Sequence, residues 1–473
     1  DFGIIKTLPL RIIMHIHILG ICGTFMGSLA LLARDLGHTV TGSDANIYPP
    51  MSTQLADAGV EVWEGYHAEH LIPTPDLIVV GNACKRGMPA IEYMLNERLP
   101  YTSGPQFLYE TVLKDRHVLA VAGTHGKTTT TTMLAWILQF SGIDTGFLIG
   151  GVPLVNTDDR RLSLAFQHSS YLGKQFFVIE ADEYDSAFFD KRSKFVHYRP
   201  TTAILNNLEY DHADIFADLD AIQTQFHHMI RMIPSKGQII IPANTPSLET
   251  TLDKGVWTTV VRTSLNGDAE WQAKLDANDG SSFWVHHNNT SAMVRWSMSG
   301  LHNVNNALTA IAAAHHVGVS VEMACTALSH FGGIKRRMEL IGDVDDILVF
   351  DDFAHHPTAI STTLDGAKKR LTPRRIWAII EPRSNTMKLG SHRPHLAASA
   401  AIADQVIWYE PQGLTWGLKE AIGSTPNQRV LDSINAIIEH IKTYAKAGDA
   451  IIIMSNGDFE NIHGRLLDAL SQP

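Results

Sequence analysis

The chain has 473 residues, 45% of them hydrophobic, and a formal net charge of −11. This length predicts several domains, each with its own core, and the acidic balance argues against nucleic acid as the main partner, because phosphate backbones require a basic face. Cys22, Cys84 and Cys325 are widely spaced and give neither a disulfide framework nor a zinc spacing. No apolar run is long enough to span a bilayer, so a cytoplasmic chain with no membrane partner is expected, as a monomer or weak homo-oligomer.

Met14 reads as a natural start, which makes residues 1–13 an extension. His15–Leu19 is a short apolar strand, followed by a glycine-rich turn (Gly20, Cys22, Gly23, Thr24 to Gly27) and a helix over 28–36. A second strand over 39–41 leads into Gly42, Ser43 and Asp44, and a third, Leu77–Val80, leads into Gly81 and Asn82. Strand, glycine-rich turn, helix, strand and acidic residue make a nucleotide-binding βαβ unit. The strict dinucleotide fingerprint fails, since Cys22 stands where its second glycine belongs.

A second unit opens near Asp115. The run Leu119 to Ala122 meets Gly123-Thr124-His125-Gly126-Lys127-Thr128-Thr129, the pattern of a phosphate-binding loop. Small residues let backbone N–H groups face an anion, the helix start adds its positive dipole end, Lys127 supplies a full charge, and the Thr128 hydroxyl suits Mg²⁺. Val121 replaces the usual first glycine, so the loop is compressed. A strand over 176–179 ends in Glu180, Asp182 and Glu183, and Thr202–Leu205 ends in Asn206, Asn207, Glu209 and His212. Acidic and imidazole groups beyond strand carboxyl ends occupy the ligand edge of open α/β sheets. Thr128, Glu180 and His212 are the metal candidates, the first two being hard oxygen donors of the kind Mg²⁺ takes. Residues 237–296 turn polar and irregular, which fits antiparallel strands or an insertion. A long alanine-rich helix then runs from about Gly300 to His316, with Asn303 and Asn306 one turn apart and able to read an adenine edge; Asn303 could equally be a helix cap.

A third unit follows Gly332 and Gly333, with strands over 347–350, 376–380, Gln405–Tyr409 and 450–454 alternating with helices. The alternation predicts a doubly wound α/β domain. Lys335, Arg336 and Arg337 form a basic cluster where the chain enters it, and Arg337 could reach a phosphate on domain closure. Asp352, with His355 and His356, follows the first strand: a carboxylate there suits a ribose and an imidazole suits a γ-phosphate or acyl phosphate. Arg383, Ser384, Asn385 and Lys388 follow the second, and their cations suit a carboxylate-bearing ligand.

Taken in order, Gly20–Gly27, Gly123–Thr128, Glu180 to Glu183, Asn207 to His212, His302 to Asn306, Arg337 and Asp352 to His356 resemble the Mur ligase family, over nearly the whole chain from Met14. The resemblance implies three α/β domains: a Rossmann-like UDP-substrate domain over 14–113, a central P-loop ATPase domain over 114–333 and a C-terminal peptide-binding domain over 334–473. It implies ATP and Mg²⁺ as cofactors, with Lys127, Arg337 and His355 catalytic. The ATP set is Gly123, Thr124, His125, Gly126, Lys127, Thr128, Thr129, Asn303, Asn306, Arg337 and Asp352. The UDP-substrate set is Gly20, Cys22, Gly23, Thr24, Asp44, Asn82 and Arg86, the peptide set is Arg383, Ser384, Asn385 and Lys388, and the metal set is Thr128, Glu180 and His212.

Two family branches fit. One adds L-alanine to UDP-N-acetylmuramate; the other joins UDP-N-acetylmuramate to the murein tripeptide L-alanyl-γ-D-glutamyl-meso-diaminopimelate during peptidoglycan recycling. GICGTFMG, GSDANIYPPMS, KRSKFVHY, LEYDHADIF, DDFAHHPTAI and EPRSNTMK resemble the tripeptide branch. Two departures stand out. Several family members carry a carbamylated lysine after the second metal histidine; here the nearby residues are Gln223 and Gln225, so no carbamate is expected. Asp458, Glu460 and Asn461 occupy a loop that is richer in glycine in the tripeptide branch. The rival classes are a nicotinamide oxidoreductase built on the first βαβ unit and a nucleotide-gated binding protein without chemistry; neither accounts for the ordered motif set.

Overall fold

The computed structural model describes residues 13–48, 51–155, 157–210, 215–265, 267–383, 393–411, 414 and 416–472. Among them are three large sheets and a two-stranded ribbon. All but the last residue of the expected extension lies outside the described residues.

The first sheet has five strands in the order Glu61–Glu64, Thr39–Asp44, His15–Leu19, Leu77–Val80, Tyr101–Ser103, all parallel. Its central strands are short apolar runs buried on both faces, as a sheet covered by helices on each side requires. Leu19 pairs with Ser43 on one side and Val80 on the other, so Gly20, Asp44 and Gly81 emerge together at the carboxyl edge. The helix after the first strand runs Thr24–Asp35. It begins one turn earlier than the sequence reading placed it, because Gly23 is extended and already acts as its cap.

His17, 0% exposed in this sheet, shares hydrogen bonds with the hydroxyls of Thr41 and Ser43, both at 2.9 Å. Burial, helped by the nearby His15 and His70, pushes its imidazole down to about 3. Half-buried His117 is pushed down to about 4 by burial and by His316. These groups stay neutral in the fold while the unfolded chain takes up protons below its ordinary value of 6.5, so stability must fall as pH drops through that value. The expected loss between pH 7 and 5 is about 2 kcal/mol for His17 and less for His117. Urea midpoints measured at the two pH values should differ accordingly; equal midpoints would contradict the buried-neutral assignment.

The second sheet has ten strands. They run parallel from Trp271–Leu275 through Thr259–Leu265, Gln238–Pro242, Thr202–Leu205, His117–Ala122 and Phe176–Glu180 to Gly146–Leu148. Antiparallel strands close both margins: Ser282–His287 and Thr290–Arg295 at one, Ser170–Tyr171 at the other. The irregular stretch over 237–296 is therefore no insertion. It continues the sheet, first in parallel and then as an antiparallel meander in which Phe283 and Val285 are buried and Trp284 is exposed, the two-residue alternation of a one-sided strand. The helices Lys127–Phe140 and Leu301–His316 pack against each other and against this sheet.

The third sheet has six strands in the order Glu339–Val344, Ile347–Asp352, Asp449–Met454, Arg375–Ile380, Gln405–Tyr409, Gln428–Leu431. The first is antiparallel to its neighbour and the rest are parallel. The four inner strands are the four the sequence predicts. The two edge strands are only partly buried, so they lack the apolar run that marks the others.

Candidate active site

The strand His117–Ala122, buried along nearly its whole length, delivers the phosphate loop to the carboxyl edge of the central sheet. Gly126 caps the following helix at φ +78°, a left-handed conformation that L side chains rarely adopt, and a Cβ there would meet Asn306 Oδ1 at 2.7 Å. The loop is held from the segment after Thr202–Leu205. Asn207 Oδ1 accepts from the His125 amide at 2.8 Å, and Asn207 Nδ2 donates to the His125 carbonyl at 3.0 Å. The Glu209 amide donates to Thr124 Oγ1 at 2.8 Å.

Lys127 Nζ donates to both carboxylate oxygens of Glu183, at 2.9 and 3.1 Å. Burial alone would lower its ammonium, but the charges of Glu183, Asp182 and Glu180 outweigh burial and hold it above its ordinary value. Thr128 Oγ1 donates to the carboxylate of Glu180 at 3.0 and 3.1 Å, and Glu180 Oε2 also accepts from the Gly150 amide at 3.0 Å. Burial raises the Glu180 carboxyl, against the pull of Lys127. The hydroxyl and carboxylate are hard oxygen donors beside a phosphate loop, a set that fits Mg²⁺.

One cavity is lined by Glu180, the loop's hydrogen-bond partner, and another is lined by the loop itself. The first, of about 500 Å³, is lined by Gly20, Cys22, Gly23, Thr24, Asp44 and Asn82 from the first sheet and by Glu180, Asp182 and Lys194 from the second. Every residue of the expected UDP-substrate set except Arg86 lines it. Arg86 instead makes an exposed pair with Glu92 at 2.9 Å. Asp44 organises the wall, accepting from the Cys22 amide at 2.8 Å and the Asn46 amide at 3.0 Å. Burial and the Asp44 charge push the Cys22 thiol up to about 11, so it stays protonated.

The other cavity, of about 620 Å³, lies between the second and third sheets. His125, Gly126, Thr129, Asn303, Asn306, Arg337 and Asp352 line it, all from the expected ATP set. Asn306 Oδ1 accepts from Asn206 Nδ2 at 3.4 Å, whereas Asn303 Nδ2 donates to the Ser299 carbonyl at 2.7 Å, a bond back across the first turn. Burial pushes the Arg337 guanidinium down, opposed by Asp352 and Glu180. Asp352 accepts from the Ala354 amide at 2.8 Å and the Met338 amide at 2.9 Å. Arg336 is committed elsewhere, to Asp351 and to the carbonyls of Ser455 and Gly457.

The imidazole that meets the phosphate loop is His356, its ring 4.3 Å from that of His125. His355 lies one residue away and bonds through Nδ1 to the Phe353 carbonyl. Arg383 lies apart from both cavities beside Glu381, Tyr409, Asp432, Asp458 and Glu460, and its guanidinium donates to Asp458. Phe459, Glu460 and Asn461 carry φ of +46°, +49° and +57°, the left-handed region that glycine enters freely, that asparagine tolerates, and that other residues enter at a cost of roughly 1–2 kcal/mol each. His212, Ser384, Asn385 and Lys388 lie outside the described residues. Gln223 donates to the Ser247 carbonyl at 2.9 Å, and Gln225 Oε1 accepts from Ser193 at 3.3 Å.

Sequence reasoning put Asn206, Asn207 and Glu209 at the ligand edge but in none of the site sets; the structure shows that they fix the loop and the Asn306 amide. Their signal was present in the run Asn206-Asn207-Leu208-Glu209 directly after a buried strand.

Three family models match the chain: Mur ligase family, catalytic domain, over residues 15–116; Mur ligase middle domain over 121–314; and Mur ligase, glutamate ligase domain, over 336–457. The UDP-N-acetylmuramate–L-alanyl-γ-D-glutamyl-meso-2,6-diaminoheptandioate ligase of Escherichia coli is 50% identical, covering 97% of this chain and 99% of its own. The UDP-N-acetylmuramate–L-alanine ligase of Acetivibrio thermocellus is 31% identical, covering 94% and 93%. The crystal structure of a murein peptide ligase from Psychrobacter arcticus superposes with a TM-score of 0.78 at 70% identity, covering 97% of this chain and 99% of its own.

Proposed function

The chain belongs to the Mur ligase family, and from that premise we propose that it joins UDP-N-acetylmuramate to L-alanyl-γ-D-glutamyl-meso-diaminopimelate through an amide bond, driven by ATP cleavage, in peptidoglycan recycling. Identity of 50% to a tripeptide ligase against 31% to an L-alanine ligase supports the tripeptide as acceptor. The observation that carries the reading is that the phosphate loop lines one cavity and is hydrogen-bonded to a residue that lines the other. Thr128 bonds to Glu180, which lines the first cavity, while His125, Gly126 and Thr129 line the second. A nucleotide in the second cavity would present its terminal phosphate to an acid held in the first.

We divide the chain into a UDP-substrate domain over 14–113, an ATP domain over 114–333 and a peptide domain over 334–473. The uridine substrate takes the cavity lined by Gly20, Cys22, Gly23, Thr24, Asp44 and Asn82. ATP takes the loop together with Asn306, Asn303, Arg337 and Asp352. Thr128, Glu180 and His212 would hold Mg²⁺, which would supply charge neutralisation at the phosphates. The peptide's carboxylates take Arg383, with Ser384, Asn385 and Lys388 in the same segment.

A carboxylate cannot acylate an amine directly, because its leaving group would be oxide. An oxygen of the lactyl carboxylate attacks the γ-phosphorus and ADP leaves, forming an acyl phosphate. The neutral L-alanyl amine then attacks the carbonyl carbon, and the tetrahedral intermediate expels inorganic phosphate and loses the nitrogen proton. Lys127 and Arg337 offset charge on the transferring group, the dominant catalytic term in such reactions. His355 is the imidazole we assign to the acyl phosphate side.

Incubation with ATP, UDP-N-acetylmuramate and either tripeptide or L-alanine tests the assignment. Phosphate release that depends on tripeptide supports it; release that depends on L-alanine alone would place the chain in the sister branch.

A further inference from the structure

We propose that His125, Glu209 and His356 form a binding site for a zinc-class divalent ion, distinct from the oxygen donors Thr128 and Glu180, that ties the C-terminal domain to the phosphate loop. One donor atom from each of the three residues lies within 4.8 Å of the others. His125 Nε2 and Glu209 Oε2 are already 3.3 Å apart, close to the donor spacing around a tetrahedral ion with bonds of about 2.0–2.1 Å. The His125 and His356 rings sit 4.3 Å apart. His356 Nδ1 accepts from the Thr358 amide at 3.3 Å, so Nε2 is the atom turned to the cluster.

The trio is also prepositioned. Asn207 grips the backbone of His125 on both sides, and the Glu209 amide is bonded to Thr124. Glu209 Oε2 accepts from the Thr358 hydroxyl at 2.9 Å, which aims the carboxylate across the domain junction. Two imidazoles and one carboxylate with an open fourth position are the ligand set of many zinc sites. Mg²⁺, which demands oxygen ligands, is poorly served by it. His125 and Glu209 belong to the central sheet's loops and His356 to the segment after Ile347–Asp352, so one ion would bridge two domains at the mouth of the nucleotide cavity.

The test is titration of the full chain, without an affinity tag and in magnesium-free buffer, with Zn²⁺ by calorimetry and with Co²⁺ by visible absorption. Glu209→Gln removes the anionic donor. His356→Asn removes the ring but keeps a side chain able to cap the helix Pro357–Leu371. Each variant should lose the same single equivalent of Zn²⁺, or bind it at least tenfold more weakly, together with the tetrahedral Co²⁺ bands, while melting like the parent in chelator. His70→Ala, in the separate histidine group of the first sheet, should retain both. Unchanged stoichiometry and affinity in Glu209→Gln and His356→Asn, or loss in only one of them, would overturn the three-ligand site, as would no Zn²⁺ bound by the parent chain at micromolar concentration.

Discussion

Lys127→Ala is expected to lower kcat at least a hundredfold, a loss of about 3 kcal/mol of transition-state stabilisation, the usual consequence of deleting a preorganised charge at a transferring group. The structure adds a second effect. Lys127 sits among Glu183, Asp182 and Glu180 and pairs directly with Glu183. Its removal takes from the buried Glu183 carboxylate the cation it pairs with, and deleting one partner of such a pair costs about 3–5 kcal/mol. The single variant should therefore melt earlier as well as turn over slowly. Pairing it with Glu183→Gln separates the effects: the double variant should recover much of the thermal stability and none of the turnover. Near-normal turnover in either would remove Lys127 from the chemistry.

Arg383→Ala is expected to raise the KM for tripeptide about ten- to a hundredfold while leaving the KM values for ATP and UDP-N-acetylmuramate unchanged. A charge-assisted hydrogen bond contributes about 1.5–3 kcal/mol, and Arg383 lies apart from both cavities, so its loss should be felt by one substrate alone. Asp458 now holds this guanidinium and opposes an incoming carboxylate. Asp458→Asn should therefore lower the tripeptide KM. Steady-state kinetics with each substrate varied in turn checks both; a tripeptide KM unmoved by Arg383→Ala would misplace the peptide.

Much of the fold was legible because buried parallel strands leave short apolar runs followed by glycine or acidic residues. His15–Leu19, Leu77–Val80, Thr202–Leu205 and Gln405–Tyr409 have the bounds read from sequence. Glu339–Val344 and Gln428–Leu431 were not legible, since partly exposed edge strands carry no such run. The turn into the helix Lys127–Phe140 could be read, because Gly126 adopts a conformation open to few other residues. What the sequence hides is which of two neighbours points inward. His355 and His356 are chemically identical in the string, and only the cap geometry of the helix Pro357–Leu371 turns His356 to His125. Nor does the string show that Arg86 pairs with Glu92, away from the cavity that the other UDP-substrate candidates line. The run Phe459 to Asn461 carries left-handed φ values, a conformation that glycine enters freely. Here the bound side chains take over: Glu460 accepts from the Tyr409 hydroxyl and Asp458 from Arg383.

The central claim is that ATP activates an acid group as its acyl phosphate before the amine arrives. UDP-N-acetylmuramate labelled with ¹⁸O in the lactyl carboxylate tests it most directly, with the released phosphate read by mass spectrometry after a single round with tripeptide. One labelled oxygen should pass into each phosphate for every amide formed. Amide formation with unlabelled phosphate would contradict the account.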